Sequence, residues 1–448
     1  MTHAMTTKTA NFPSNSQQQP VITSRKPGMV LINRATHRDI VPGVHLLPGQ
    51  GNSVALETAK GVVLFDAGPG GGLTANMIAT LQTITPKPVS HIVYSHGHLG
   101  YNYGVGDWCR SMAERGFARP VLVAHRRVRA RYARYQEAEG LQQLLNSLQF
   151  RMNVPKPKPE WLVMPDIGFE DRLVIDGGDR TIELLAAPSE TDDVVAAWLP
   201  SERFLYGSAA VIRSLPNVGT PLRTLRDPMR WASTLDRLHA LRPKVLLAEF
   251  GGPLFEPQDV EDALVLPAAG LRWLRQETVR LMNEGLGVED IVARIRPPAA
   301  LFDHPFMRPV YGCVDYIVRD IWRSENGWWD RNPTTLHPAP RLQVEADLQS
   351  LLGSAADVQH VVARAQALAE GGQIQKALHV IDLVAQLPED TPMHSQVMDF
   401  KADLLDRRAL QLSSVVSRNL YRSMAEQLRG LPHGSTRDND PTHGMTMA

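Results

Sequence analysis

The 448-residue chain has only two cysteines, Cys109 and Cys313, no uninterrupted apolar run long enough to span a bilayer, and no excess of charge, with 47 Lys and Arg against 47 Asp and Glu. Each absence removes a class of protein. Two thiols build neither a disulfide framework nor a cysteine-rich zinc module, and they suit a reducing compartment. The lack of a long apolar segment argues against a transmembrane helix. A net charge of zero lacks the electrostatic footprint of a nucleic-acid binder or a membrane-surface protein. A cytoplasmic protein whose partners are small molecules, not nucleic acid or membrane, is the expectation. Residues 1–28 are polar, with no apolar stretch ahead of a cleavage site, and read as a disordered leader and not a signal peptide.

What is present is enough apolar residue, 43% of the total, to bury two cores. Short β-compatible runs at Val44 to Leu47, Ser53 to Glu57 and Gly61 to Asp66 alternate with glycine-bearing turns. A helix over Leu73 to Gln82, a strand from His91, a strand over Pro120 to His125 and one long basic helical stretch over Arg126 to Leu148 follow. Further strands are expected at Thr181 to Ala187, Val194 to Leu199, Phe204 to Gly207 and Val245 to Glu249, with a helix over Pro228 to Leu241. That order suits an αββα sandwich whose site lies on loops at one sheet edge. The Gly68 to Gly72 run lacks a following Lys-Ser/Thr and does not support nucleotide binding.

His96-Gly97-His98 directly follows the apolar Ile92-Val93-Tyr94, and two imidazoles two residues apart at a strand end can face one metal ion. With the Gly-rich continuation Leu99 to Gly104, this segment resembles the metallo-β-lactamase-fold hydrolases, whose signature is His-x-His-x-Asp-His. Several distant stretches narrow the resemblance to the alkylsulfatase branch. These are Arg226-Asp227 with Trp231, Tyr311-Gly312, Gly327-Trp328-Trp329-Asp330-Arg331-Asn332-Pro333, and Ser417-Arg418-Asn419-Leu420-Tyr421 followed by Glu426-Gln427-Leu428-Arg429. The resemblance implies an α/β fold, a metallo-β-lactamase sandwich over 29–262 followed by an all-α dimerisation domain over 263–430, with a disordered tail over 431–448. No sterol-carrier-like domain is expected after Gly430.

The same resemblance assigns the metal ligands His96, His98 and Glu190, the last offset by one in its spacing from Pro188. Two imidazoles and a carboxylate make an open zinc site. The rival reading of Glu190 is an idle, solvated loop carboxylate beside Asp192 and Asp193. Asp66 is expected to support the metal loop from behind. Where the family supplies the second ion's ligands, this chain offers Gly100, Tyr101, Ser208 and Phe250, none a strong donor. A single metal follows, with Glu249 or Asp192 as substitutes to weigh. Tyr101 is expected to place a phenol near the metal or substrate, and Asn217 and Arg223 to grip the anion. Tyr103, Tyr132, Tyr135 and His125 are further candidates for the pocket wall, although Tyr132 and Tyr135 suit an ordinary helix surface slightly better.

Beyond the sandwich, Leu271, Leu274, Leu281 and Met282 give helical periodicity over Pro267 to Ile295, a second helix starts at Tyr316 and breaks at Gly327, and 357–430 holds three or four helices. A homodimer is implied by the resemblance. The functional expectation is a hydrolase cleaving a sulfate ester or related bond of a small organic molecule at one zinc. Two alternatives stand beside it. One is a lyase, isomerase or oxygen-dependent conversion on iron(II), which two His and one carboxylate also suit. The other is a metal-free binding protein.

Overall fold

The computed structural model describes residues 32–33, 36, 38–340, 343–344, 347, 355–385 and 393–436. The expected leader over 1–28 and the tail beyond residue 436 lie outside the described residues. The first half of the chain builds two facing sheets. One has six strands in the order Val44–Leu47, Ser53–Thr58, Gly61–Phe65, Val89–Val93, Val121–His125 and Ile167–Phe169. The other has five, in the order Val245–Ala248, Phe204–Ser208, Val195–Leu199, Thr181–Ala186 and Arg172–Asp176.

The strands are apolar on both faces because each face has its own partner layer. Successive side chains alternate between them. Val63 and Phe65 point into the space between the sheets, where they meet Ile182, Leu184, Val195 and Tyr206. Val62 and Leu64 point the other way, into a core shared with Met77, Leu81 and Trp108 of the covering helices. In the second sheet, Val195, Ala197 and Leu199 face inward. Ala196 and Trp198 face Trp231, Leu235 and Leu264 of the outer helices. This is the αββα sandwich, and the loops that leave the C-terminal ends of Gly61–Phe65 and Val89–Val93 lie side by side.

The outer helix Pro228–Ala240 starts where Asp227 accepts hydrogen bonds from the backbone N–H groups of Met229 (2.9 Å) and Arg230 (3.0 Å), with Pro228 fixing the first turn. Three elements differ from the sequence reading. The basic stretch over Arg126 to Leu148 is two helices, Val128–Glu137 and Glu139–Phe150, because Ala138 leaves the helical conformation ahead of Gly140. The helix expected from Pro267 begins at Pro257, runs to Asn283 and carries Pro267 inside it; Val288–Arg294 is a separate helix. Proline is tolerated there because the continuous apolar face of Val260, Leu264, Leu271 and Leu274 is buried in the outer core. The strands Ile167–Phe169 and Arg172–Asp176 are too short, and too mixed in burial, to stand out from sequence.

The C-terminal helices Ala355–Glu370, Ile374–Ile381, His394–Leu410 and Val415–Leu428 form a core of their own around Val361, Ala377, Leu404 and Ala425. Helix Val415–Leu428 docks on Glu139–Phe150 of the sandwich. Asn419 donates to the Gln149 carbonyl (3.0 Å) and Ser423 to that of Leu148 (3.0 Å). The strongest tie is ionic: Arg151, in a left-handed turn with φ of 51°, donates through Nη2 (2.9 Å) and Nε (3.1 Å) to Glu426 Oε1, and both side chains are buried. Hydrogen bonds from Arg151, Gly434 and Thr436 hold the Glu426 carboxyl below its ordinary range against the desolvation that would raise it. Removing one member of such a pair leaves an uncompensated buried charge. Glu426→Ala is therefore expected to lower the free energy of unfolding by about 3–5 kcal/mol in denaturant titrations, and a loss under about 1 kcal/mol would show that the tie contributes nothing.

Candidate metal centre

Asp66 follows strand Gly61–Phe65 in a left-handed conformation, φ 61°, which turns its side chain towards the neighbouring loop. Its Oδ1 accepts from the Ser95 backbone N–H (2.9 Å) and from Asn102 Nδ2 (3.0 Å), while Asn102 Oδ1 accepts from the Ala67 N–H (3.0 Å). One buried carboxylate thus joins both ends of the His loop, the supporting place expected of it. Complete burial raises its pKa to about 7, opposed by those hydrogen bonds.

Gly97 separates the two histidines for a steric reason. A Cβ there would lie 2.7 Å from both Arg131 Cδ and Asp193 Oδ2. Asp193 accepts from the Gly97 N–H at 3.2 Å and from Arg131 Nε at 2.6 Å, so the loop is clamped from the second sheet's side as well. The imidazoles of His96 and His98 stand edge to face with centroids 4.6 Å apart. His96 Nδ1 is hydrogen-bonded to Ser95 Oγ at 2.9 Å, and its buried Nε2 has no hydrogen-bond partner among the described residues.

Glu190 closes the set. Ligand atoms of His96, His98 and Glu190 all lie within 4.8 Å of one another, and Glu190 Oε2 is 3.8 Å from His98 Nδ1. Glu190 is 8% exposed, so it is not the solvated loop carboxylate of the rival reading. Its Oε1 accepts from Asn217 Nδ2 (2.7 Å) and pairs with Arg226 Nη2 (3.2 Å), which leaves Oε2 to face the imidazoles. Burial lowers the pKa of both imidazoles, that of His98 strongly, with Arg131 and Arg226 adding to the effect. Neutral imidazoles, an anchored carboxylate and an unpartnered buried Nε2 suit a divalent cation.

The other expected residues are distributed unevenly. Tyr101 is buried with its ring 4.4 Å from that of His96, and its hydroxyl donates to Glu249 Oε1. Glu249 is therefore engaged by a phenol, outside the three-donor group. Asp192 pairs with Arg131 (2.6 Å) and Arg127 (2.9 Å) and turns away from the imidazoles. Asn217 holds Glu190. Arg223 donates to Asn146 Oδ1 at 2.8 Å and packs over Phe150, with desolvation lowering its pKa and Arg226 adding to the effect. Tyr132 and Tyr135 are buried in the core under the first sheet, not on a helix surface, because the six-stranded sheet covers that face of their helix. His125 is half-turned into the strand end, where Nδ1 accepts from the Arg127 N–H at 3.2 Å.

At the positions assigned by resemblance to a second ion, the space is filled. A Cβ at Gly100 would come within 2.1 Å of Gln50 Oε1, and Gln50 Nε2 donates to the Leu99 carbonyl at 2.9 Å. Ser208 Oγ donates to the Val195 carbonyl at 2.6 Å. Sequence reasoning left Arg226 and Asp193 out of the site. Arg226 stood in an Arg-Asp motif without a role, and Asp193 sat beside the expected ligand, so the signals were proximity alone.

Residues 46–248 match the metallo-beta-lactamase superfamily and residues 287–430 the alkyl sulfatase dimerisation family. A linear primary-alkylsulfatase of Pseudomonas sp. is 26% identical over 398 residues, which cover 85% of this chain and 74% of that protein. An alkyl/aryl-sulfatase of Saccharomyces cerevisiae is 25% identical over 372 residues, 77% of this chain and 56% of its own length. The solved structure of a stereoselective inverting sec-alkylsulfatase from Pseudomonas sp. superposes with a TM-score of 0.76 at 20% identity, covering 91% of this chain and 66% of that one. That likeness shows the shared fold. The chain spans between 56% and 74% of the length of these three proteins.

The lowered histidine pKa values give the metal-free fold a pH dependence with a definite sign. Below the ordinary value of 6.5 the unfolded chain takes up protons that the buried imidazoles refuse. This contribution to stability is complete above about pH 6.5 and is lost as pH falls. The raised carboxyls of Asp66 and Glu249 act in the opposite sense over the same range, so the histidine contribution is read as a difference. In thermal unfolding of the metal-free protein between about pH 7.5 and about pH 5, His98→Gln should lose less stability on acidification than the wild type, and an unchanged slope in the variant would assign the effect elsewhere.

Proposed function

The chain joins a metallo-beta-lactamase superfamily domain to an alkylsulfatase dimerisation domain, and from that pairing we propose a metal-dependent hydrolase that cleaves a sulfate ester or related bond of a small organic molecule. The observation that carries the reading is the convergence of His96, His98 and Glu190 within 4.8 Å, with one imidazole nitrogen left unpartnered in the protein interior. These three residues would hold a single zinc ion. The chemistry such an ion supplies is polarisation of an ester oxygen and activation of water near neutral pH.

The surrounding residues divide the remaining work. Asn217 and Arg226 fix Glu190 through one oxygen, so its second oxygen keeps a constant direction towards the histidines. Arg223 places a guanidinium on the same side of the site and contributes positive charge for an anionic ester. Tyr101, against the His96 ring, walls the space beside the reacting group, and its bond to Glu249 removes the carboxylate that would otherwise invite a second cation. A two-metal clamp on attacking and leaving oxygens is therefore not the mechanism proposed. The dimerisation region supports a homodimer. Among the described residues no helix is long and apolar enough to cross a membrane, which with the two free thiols fits the proposed cytoplasmic setting.

Elemental analysis of protein purified without added metal should find about one zinc per chain, and sulfate release from a panel of alkyl and aryl sulfate esters should be lost in His96→Ala. Two ions per chain would overturn the mononuclear reading. Iron with no ester hydrolysis would favour the non-hydrolytic alternative, and turnover unchanged in the variant would remove the centre from the reaction. Asn217→Ala, which frees Glu190 to rotate, is expected to weaken metal affinity by about 10–100-fold in competition with a chelator.

A further inference from the structure

A cavity of about 400 Å³ opens beside Glu190, and its wall is dominated by Arg127, Arg131, Arg134 and Arg230. Three of these arginines come from one sequence pattern. Positions 127, 131 and 134 fall at i, i+4 and i+7 at the start and along helix Val128–Glu137, which sets them on one face, and the buried Tyr132 and Tyr135 lie on the flank next to it. The fourth comes from the first turn of helix Pro228–Ala240, on the far side of the opening.

The charges in this wall do not cancel. Arg127 and Arg131 share Asp192, at 2.9 and 2.6 Å, and Arg131 also pairs with the buried Asp193. Arg134 lies over the Tyr135 ring at 5.3 Å and, like Arg230, makes no ion pair with a carboxylate among the described residues. Glu190, the remaining acid of the wall, already has Arg226 and Asn217 on one oxygen, and its other oxygen faces the histidines. The cavity is therefore cationic, adjoins the candidate metal centre, and includes Ala130 and Leu225 as apolar footing. A plain alkyl tail gains nothing from four guanidinium groups, whereas a carboxylate or sulfonate gains charge-assisted, two-pronged hydrogen bonds.

We propose that this cavity is a substrate subsite for a second anionic group, so that the preferred substrates are small organic esters bearing a carboxylate or sulfonate some atoms away from the bond that reacts. This specificity rests on the hydrolase reading for the reacting end, but the anion site itself does not. Arg134 and Arg230, which have no carboxylate of their own, are the specificity-determining residues.

Two measurements test it separately. Glutarate, a non-reactive dicarboxylate, is titrated calorimetrically into the wild type and into a variant carrying Arg134→Gln and Arg230→Gln. Binding to the wild type that weakens about tenfold or more in the variant, and also with rising salt, supports the subsite; no binding to the wild type, or equal binding to both, overturns it. Sulfate release from a carboxylated alkyl sulfate and from the unsubstituted alkyl sulfate of equal length then gives a ratio of kcat/KM. The ratio should favour the carboxylated ester and fall about tenfold in the variant, and a ratio that does not move would overturn the assignment of substrate class. If neither ester is hydrolysed by the wild type, the reaction proposal fails and the glutarate titration still decides the subsite.

Discussion

The centre depends on how the Glu190 carboxylate is divided between its two oxygens. A carboxylate on a loop, hydrogen-bonded to nothing, would rotate and would be solvated. Here Oε1 is taken by the Asn217 amide and the Arg226 guanidinium, and only Oε2 remains to face the imidazoles. Arg226 is itself placed by helix Val314–Asn326, where Asp320 accepts its backbone N–H at 3.0 Å. The direction of one oxygen is thus fixed by an element some 130 positions away in the chain, from the helical half of the molecule. The histidines are fixed independently by Asp66 on one side and Asp193 on the other. Three loops meet at the site, and a buried carboxylate or amide anchors each of them.

The same economy of charge accounts for what surrounds the centre. Glu249 is fully buried, and desolvation, with the nearby Glu190 charge adding to it, pushes its carboxyl well above the ordinary range. Such an acid keeps its proton or finds a partner, and the Tyr101 hydroxyl donates to it. Gln50 likewise fills the ground over Gly100 and ties itself to the Leu99 carbonyl. Gln50 and Glu249 are thus each engaged within the protein, one by the Leu99 carbonyl and the other by the Tyr101 hydroxyl.

The layers of the fold and the two candidate histidines were readable because both rest on local pattern. Strands buried on both faces show as short apolar runs, and His-Gly-His at a strand end has a steric reason visible in the structure, the close approach of Arg131 and Asp193 to Gly97. Glu190 was reached only through resemblance, since nothing in its neighbourhood separates it from Asp192 and Asp193. Its anchoring by Arg226 is a contact across 36 residues between two loops, a kind of fact that periodicity does not carry. The misreadings follow the same division. Tyr132 and Tyr135 sit in a strongly basic helix, and their burial comes from the sheet that covers them. The helix from Pro257 runs through Pro267 because tertiary burial outweighs the propensity of one residue.

Overall charge balance and local charge also separate here. Equal numbers of acids and bases give the chain no net charge with which to attract a polyanion from a distance. They say nothing about a wall a few ångströms across, where four guanidinium groups face two carboxylates. In such a wall each acid is already committed, Asp192 to Arg127 and Arg131 and Glu190 to Arg226, so an incoming anion meets guanidinium groups without having to displace a partner from Arg134 or Arg230. Under the proposed coordination of Glu190 by a cation, that acid would be neutralised further, and the local field of the wall would grow more positive.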